Sequence, residues 1–193
     1  TDEFGLVTIE AAEKIKSLVP HMELMRFGLT GNEANTMALR VARAYTGKNM
    51  IVKFNGHFDG GPYYIVGGIV KDPSNPIPSD GEWDFDFFSQ MCATKGRAKH
   101  AFDDVFMIEW NDLSAITELF EKYGNDIAAV IMEPIAVNVA GCIAEPGYME
   151  GVRELCTKYN VVLIFDEVLA GFRVGLGGCA EFYGVTPDMS TFS

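Results

Sequence analysis

Three stretches are apolar almost without interruption over the length of a strand: MIVKF at 50–54, IAAVIM at 127–132 and VVLIF at 161–165. Such runs give no face to water, so each predicts a strand covered on both sides, as in a parallel sheet. Between them, TIEAAEKIKSLV, NEANTMALRVARAYTG, DLSAITELFEKYG and YMEGVRELCTKYN carry apolar residues at spacings of three and four. That period predicts amphipathic helices. Three of the four end in Gly or Asn, residues favoured where a helix closes. Alternating strands and helices predict an α/β fold, a three-layer αβα arrangement around a mostly parallel sheet with right-handed crossovers. Ligands of such sheets sit beyond the carboxyl ends of the strands. KDPSNPIPSDGEW, at 71–83, has three prolines and few apolar residues, and is expected to be a surface loop.

Composition narrows the function classes. With 193 residues, 48% of them hydrophobic, the chain can bury a sizeable core. No apolar run approaches the roughly 18 residues of a membrane-spanning helix. TDEFGLVTIE has neither a starting Met nor the basic-then-apolar order of a signal peptide, so the start reads as internal to a longer protein. A net charge of -12 repels nucleic acid and anionic lipid, and neither is expected as a partner. Any anionic ligand has to be held by local groups. Cys92, Cys142, Cys156 and Cys179 lack CxxC spacing, and His21, His57 and His100 are scattered. No metal site is expected, and the thiols are read as reduced, in a cytoplasmic protein.

Two places promise chemistry. The run VVLIF leads directly into Asp166 and Glu167, so a strand ending at Phe165 sets Asp166 at the carboxyl edge of the sheet. A carboxylate is costly to desolvate there without a partner. It either caps a turn or pairs with Arg173, or it awaits a cationic ligand. Glu133, in MEPI, also ends a buried strand and could support the same environment, whereas Glu167 reads as structural. The second place is Thr30 with Glu33, the spacing of a capping box. Gly31 and Asn32 then fall in the first helical turn, where free N–H groups favour an anion such as phosphate. Simple helix initiation accounts for the same residues.

The ordered segments TGNEA, KFNGHFDG, MEPIAVN, FDEVLAGFRVGLGG and YGVTPDMSTFS together resemble the class III pyridoxal-phosphate-dependent aminotransferases, the aminomutase-like branch most of all. The likeness runs from VPHMELMRF to the last residue. It implies the large domain of a PLP-dependent transferase of the aspartate-aminotransferase type, fold type I. Residues 1–193 would be the central part of that domain. The N-terminal segment, the small C-terminal domain and the Schiff-base lysine, expected just after Ser193, would lie outside the chain. Thr30, Gly31 and Asn32 match the segment that holds the cofactor phosphate, and Phe58 matches the aromatic residue stacked on the pyridine ring. Asn138 matches an asparagine near the phenolic oxygen. Asp166 matches the partner of the ring nitrogen, and Val168 the residue on the opposite ring face.

The resemblance implies amino-group transfer from an amino acid or amine to a carbonyl acceptor, or else a 2,1-amino shift within one carbon skeleton. It also implies a cytoplasmic homodimer with a shared active site. The chain departs from the family pattern at four positions: Asn32 for Thr, Phe58 for Tyr, Asp59 for His, and Val137 for a small residue. These bear on substrate and reaction subtype. The lysine outside the chain leaves one reading from another class, a non-catalytic αβα binding protein.

Overall fold

The computed structural model describes residues 5–61 and 103–193. In chain order these form α1 (Leu6–Leu18), α2 (Gly31–Thr46), β1 (Met50–Phe54), β2 (Val105–Ile108), α3 (Leu113–Tyr123), β3 (Ile127–Met132), a 3-10 turn (Val137–Val139), α4 (Tyr148–Tyr159), β4 (Val162–Asp166), α5 (Gly178–Tyr183) and β5 (Met189–Thr191). The strands form one sheet in the order β2-β1-β3-β4-β5, and all four neighbouring pairs are parallel. The predicted α/β layering is therefore correct, and the three predicted strands form its centre. The loop expected at 71–83 lies outside the described residues.

Strand alternation sorts the sheet's side chains between two helical layers. Ile51, Ala129, Ile131, Val162 and Ile164 pack with Ala38, Leu39 and Ala42 of α2. Val52, Phe54, Val130, Met132, Leu163 and Phe165 pack with Ile116, Leu119 and Phe120 of α3 and Val152 and Cys156 of α4. The register slips between Met50 and Ile51, whose partners are Ile127 and Ala129. Ala128 is thus a bulge residue, and Ile127 joins the α3 and α4 side although its parity with Ala129 would send it to the other.

Several expectations need adjusting. β4 runs from Val162 to Asp166, one residue later than read, because the ladder with β5 extends to Asp166 opposite Thr191. Helix α1 forms but buries no residue; Leu6, Val7 and Ile9 are exposed. Gly47 and Asn160 close α2 and α4 in left-handed conformation. Gly124 stays right-handed, since the chain turns at once into β3 through a bond from Asp126 N–H to the Tyr123 carbonyl. β2, α5 and β5 span four, six and three residues, too short for periodicity to declare them. No helix among the described residues is long and apolar enough to cross a membrane.

Candidate active site

Parity decides which side chains reach the edge on the α2 side. Asp166 continues the row Val162, Ile164, and Lys53 continues from Ile51, so both point toward α2 at the carboxyl ends of their strands. There α2 presents its N-terminus. Thr30 caps it, accepting a hydrogen bond from Glu33 N–H at 3.2 Å. Glu33 in turn accepts from Leu29 N–H at 2.6 Å, one residue before the backbone position a capping box would use. The helix start lies directly against the segment after β4: a Cβ on Gly31 would come within 2.7 Å of Val168 Cγ2. Only glycine admits that approach. Asn32 accepts from Gly61 N–H at 2.9 Å, tying the helix start to the turn after β1.

That turn is wired from below. Lys53 and Asp59 are both buried, with Lys53 Nζ 3.3 Å from Asp59 Oδ2. This is close enough for an ion pair, although neither Asp59 side-chain oxygen is aligned for a hydrogen bond. Lys53 also donates to the His57 carbonyl at 3.3 Å. Phe58 N–H donates to Glu133 Oε1 at 2.6 Å, and the Phe58 ring is left exposed. Glu133 holds the next loop as well, accepting from Asn138 Nδ2 at 2.7 Å and from Asn138 N–H at 3.3 Å. The 3-10 turn carrying Asn138 packs so closely on the first turn that a Cβ on Gly56 would meet Val139 Cγ2 at 2.5 Å. From the other end Tyr183 steadies this loop, donating to the Pro134 carbonyl and accepting from Ala144 N–H.

Asp166 is the focus. Only 3% exposed, it accepts from Val168 N–H at 3.0 Å through Oδ1 and from Asn35 Nδ2 at 2.6 Å through Oδ2. The first bond is the turn cap weighed from the sequence. The pairing with Arg173 does not occur: Arg173 is exposed while Asp166 is buried, and no cationic side chain among the described residues forms an ion pair with Asp166. Burial raises the Asp166 carboxyl above its ordinary range, and the nearby charge of Asp59 raises it further. The Val168 and Asn35 donors oppose the rise. Burial likewise raises Asp59, against the pull of the Lys53 ammonium. Glu167 is structural as expected, accepting from Cys179 N–H at 2.6 Å.

His57 is the neutral member. Its Nδ1 accepts from Glu133 N–H at 3.0 Å, and burial together with Lys53 pushes it down to about 3. The unfolded chain takes up this proton near the ordinary value of 6.5, and the folded chain does not, so folding stability is lost as pH falls below that value. His57→Gln removes the effect. Between pH 6.5 and 5 the parent is expected to lose about 1.6 kcal/mol more than the variant, the slope approaching about 1.36 kcal/mol per pH unit only below the unfolded value, read from urea midpoints at the two pH values.

Of the seven residues singled out from the sequence, Asp166 takes hydrogen bonds from Val168 and from Asn35, which also bonds the Asp59 carbonyl; Phe58 and Asn138 share Glu133; and Thr30, Gly31 and Asn32 begin the helix that lies against Val168 and is tied by Asn32 to Gly61. Sequence reasoning overlooked Asn35, Lys53, His57 and Thr191. Two clefts elsewhere, one lined by Leu113, Thr117 and Lys158 and the other by Val41, Tyr45 and Met189, have no such convergence of buried polar groups.

A doubly covered parallel sheet whose carboxyl edge gathers a helix start and a buried acid without an ion-pair partner among the described residues has these groups where ligands of open α/β sheets bind. The chain belongs to the class-III aminotransferases, whose family profile matches residues 5–193. It is 40% identical over 192 residues to a glutamate-1-semialdehyde 2,1-aminomutase 1 of Lachnoclostridium phytofermentans, covering 98% of this chain and 42% of that protein. Among solved structures it resembles an omega-transaminase from Sphaerobacter thermophilus, with TM-score 0.86 and 30% identity over 100% of this chain and 42% of that one. It also resembles a transaminase described with PLP bound, with TM-score 0.81 and 26% identity over 99% of this chain and 42% of that one. The chain thus spans well under half the length of these relatives.

Proposed function

We propose that residues 1–193 are the central part of the large domain of a pyridoxal-phosphate-dependent enzyme that moves an amino group from an amino acid or amine to a carbonyl acceptor. One observation carries the reading: Asp166, buried at a strand's carboxyl end, is bonded only to neutral donors among the described residues. A carboxylate so placed gains most from a cationic ligand, and a protonated pyridine ring is one. The donor set fits the rest of the cofactor. Thr30, Gly31 and Asn32 begin a 16-residue helix, whose free N–H groups suit a phosphate even in an acidic chain. Phe58 and Val168 would hold the two ring faces by stacking and dispersion, and Asn138 would stand beside the phenolic oxygen.

Bound pyridoxal phosphate supplies an electron sink for bonds broken at the substrate carbon. The chain's part is to fix it: Asp166 holds the proton on the ring nitrogen, and Glu133 keeps the Phe58 and Asn138 loops in register. A specific observation favours a second reaction on the same site, since the curated relative is named for an aminomutase; there the amine stays on one carbon skeleton. A cytoplasmic homodimer sharing its sites between subunits completes the proposal, and Cys142, Cys156 and Cys179 are free thiols in keeping with it.

The test incubates the purified intact protein with a single amino donor. Transamination is expected to release a keto acid, whereas an aminomutase returns an isomeric amine and no keto acid. A protein whose visible absorbance fails to respond to any amine overturns both in favour of a binding protein.

A further inference from the structure

Asn35 has no place in the family resemblance, yet it is buried, 1% exposed, and every polar atom of its side chain is used. Its Nδ2 donates both to Asp166 Oδ2 at 2.6 Å and to the Asp59 carbonyl at 2.9 Å. Its Oδ1 accepts from Thr191 Oγ1 at 2.6 Å. The orientation of the amide follows from its neighbours. Turned over, its oxygen would face two acceptors and its NH2 would lose both partners. Thr191 lies opposite Asp166 in the β4-β5 ladder, so the three groups are set by strand register and one helical position.

The consequence concerns protonation. Asn35 Nδ2 occupies one oxygen of Asp166 and Val168 N–H the other. Neither donor can accept a hydrogen bond, so a proton on Asp166 along either direction would meet a hydrogen instead of a lone pair. The charged groups around Asp166 are Lys53 of β1, Asp59 of the turn after it, and Glu133 after β3; α2 and β5 contribute the non-titrating Asn35 and Thr191. Burial and two neighbouring acids favour protonation, and the amide opposes it.

We propose that Asn35 is a positioning residue that keeps Asp166 ionised and aimed at the ring nitrogen, with Thr191 anchoring the amide's oxygen. This rests on the cofactor reading above. It concerns a buried residue whose side-chain polar atoms are all bonded within the protein.

The experiment uses the intact protein, stripped of cofactor and titrated with pyridoxal phosphate from pH 5 to 8.5. With ring-labelled cofactor, nitrogen NMR reports the protonation of the ring. For Asn35→Ala, affinity at pH 7 is expected to fall about tenfold, and the acid limb of the binding profile to move up by about one pH unit, the scale of one lost charge-assisted hydrogen bond. The loss shrinks toward pH 8.5, where Asp166 ionises without help. Thr191→Val keeps shape and packing, so it carries the test even where Asn35→Ala does not fold. It is expected to move the limb the same way by a smaller amount, about threefold in affinity at pH 7, and to add nothing to Asn35→Ala in the double variant. A limb that stays put in Thr191→Val, or a loss in Asn35→Ala that is equal at every pH, overturns the proposal and leaves the cofactor reading standing. A parent that takes up no pyridoxal phosphate overturns both.

Discussion

Replacing Asp166 by Asn is expected to weaken pyridoxal-phosphate binding by about 10²–10³-fold, the range for truncating one partner of a buried charge pair. Activity should fall at least as far. The side chain keeps its volume, so the packing of Val162 and Ile164 behind it is undisturbed. What disappears is the charge facing the ring, together with one of the two hydrogen bonds, because the new NH2 meets either Val168 N–H or Asn35 Nδ2. Asp166→Glu makes the useful contrast: it keeps the charge and adds a methylene in a site that is 3% exposed. Its loss should be intermediate and dominated by misplacement. Equilibrium dialysis of the stripped protein measures affinity, and circular dichroism with a urea midpoint separates a binding defect from unfolding. Equal affinity in the parent and Asp166→Asn would remove the electrostatic basis of the proposed function.

The position of Asp166 could be read from the sequence for a simple reason. An unbroken apolar run marks a strand covered on both sides, and its last residue must stand at the sheet's edge. The same argument located Glu133 after IAAVIM. Thr30 was legible through capping chemistry, although the Glu33 side chain accepts from Leu29 N–H instead of Thr30 N–H. The partners were harder. Asn35 lies three and four residues before Ala38 and Leu39, on the face of α2 that meets the sheet. That placement is visible in the heptad pattern, but nothing local says that a polar residue on a buried face will find an acid 131 residues away. Lys53 inside MIVKF gave a comparable clue, a charge in an otherwise apolar strand, whose partner depended on a turn that sequence alone could not fold. Thr191 was invisible because β5 has three residues and its register is set by β4.

Lys53→Met is expected to have the largest effect on stability, about 3–5 kcal/mol at pH 8, the scale for removing one member of a buried ion pair. The methionine fills similar space, so the loss is one of charge. Asp59, 0% exposed, is left in a site already crowded by Glu133 and Asp166. The pH dependence has a definite sign. Burial already raises the folded carboxyl above its ordinary value of 3.8, and losing Lys53 raises it further. Between the unfolded and folded values the native state holds the extra proton, so stability falls as pH rises. The deficit of Lys53→Met relative to the parent should therefore be small at pH 5 and grow toward pH 8. Adding Asp59→Asn to Lys53→Met removes the stranded charge and should recover most of the loss, a coupling read by a double-mutant cycle of urea midpoints. Cofactor affinity is expected to fall in Lys53→Met as well, because Lys53 holds the His57 carbonyl and the Asp59 carbonyl is bonded to Asn35. Affinity and stability thus fall together at Lys53 and apart at Asp166, which distinguishes the residue that supports the turn from the acid that meets the ring. Recovery in the double variant to no more than the level of Lys53→Met alone would mean that the lysine acts through its packing or other contacts, with the ion pair contributing nothing.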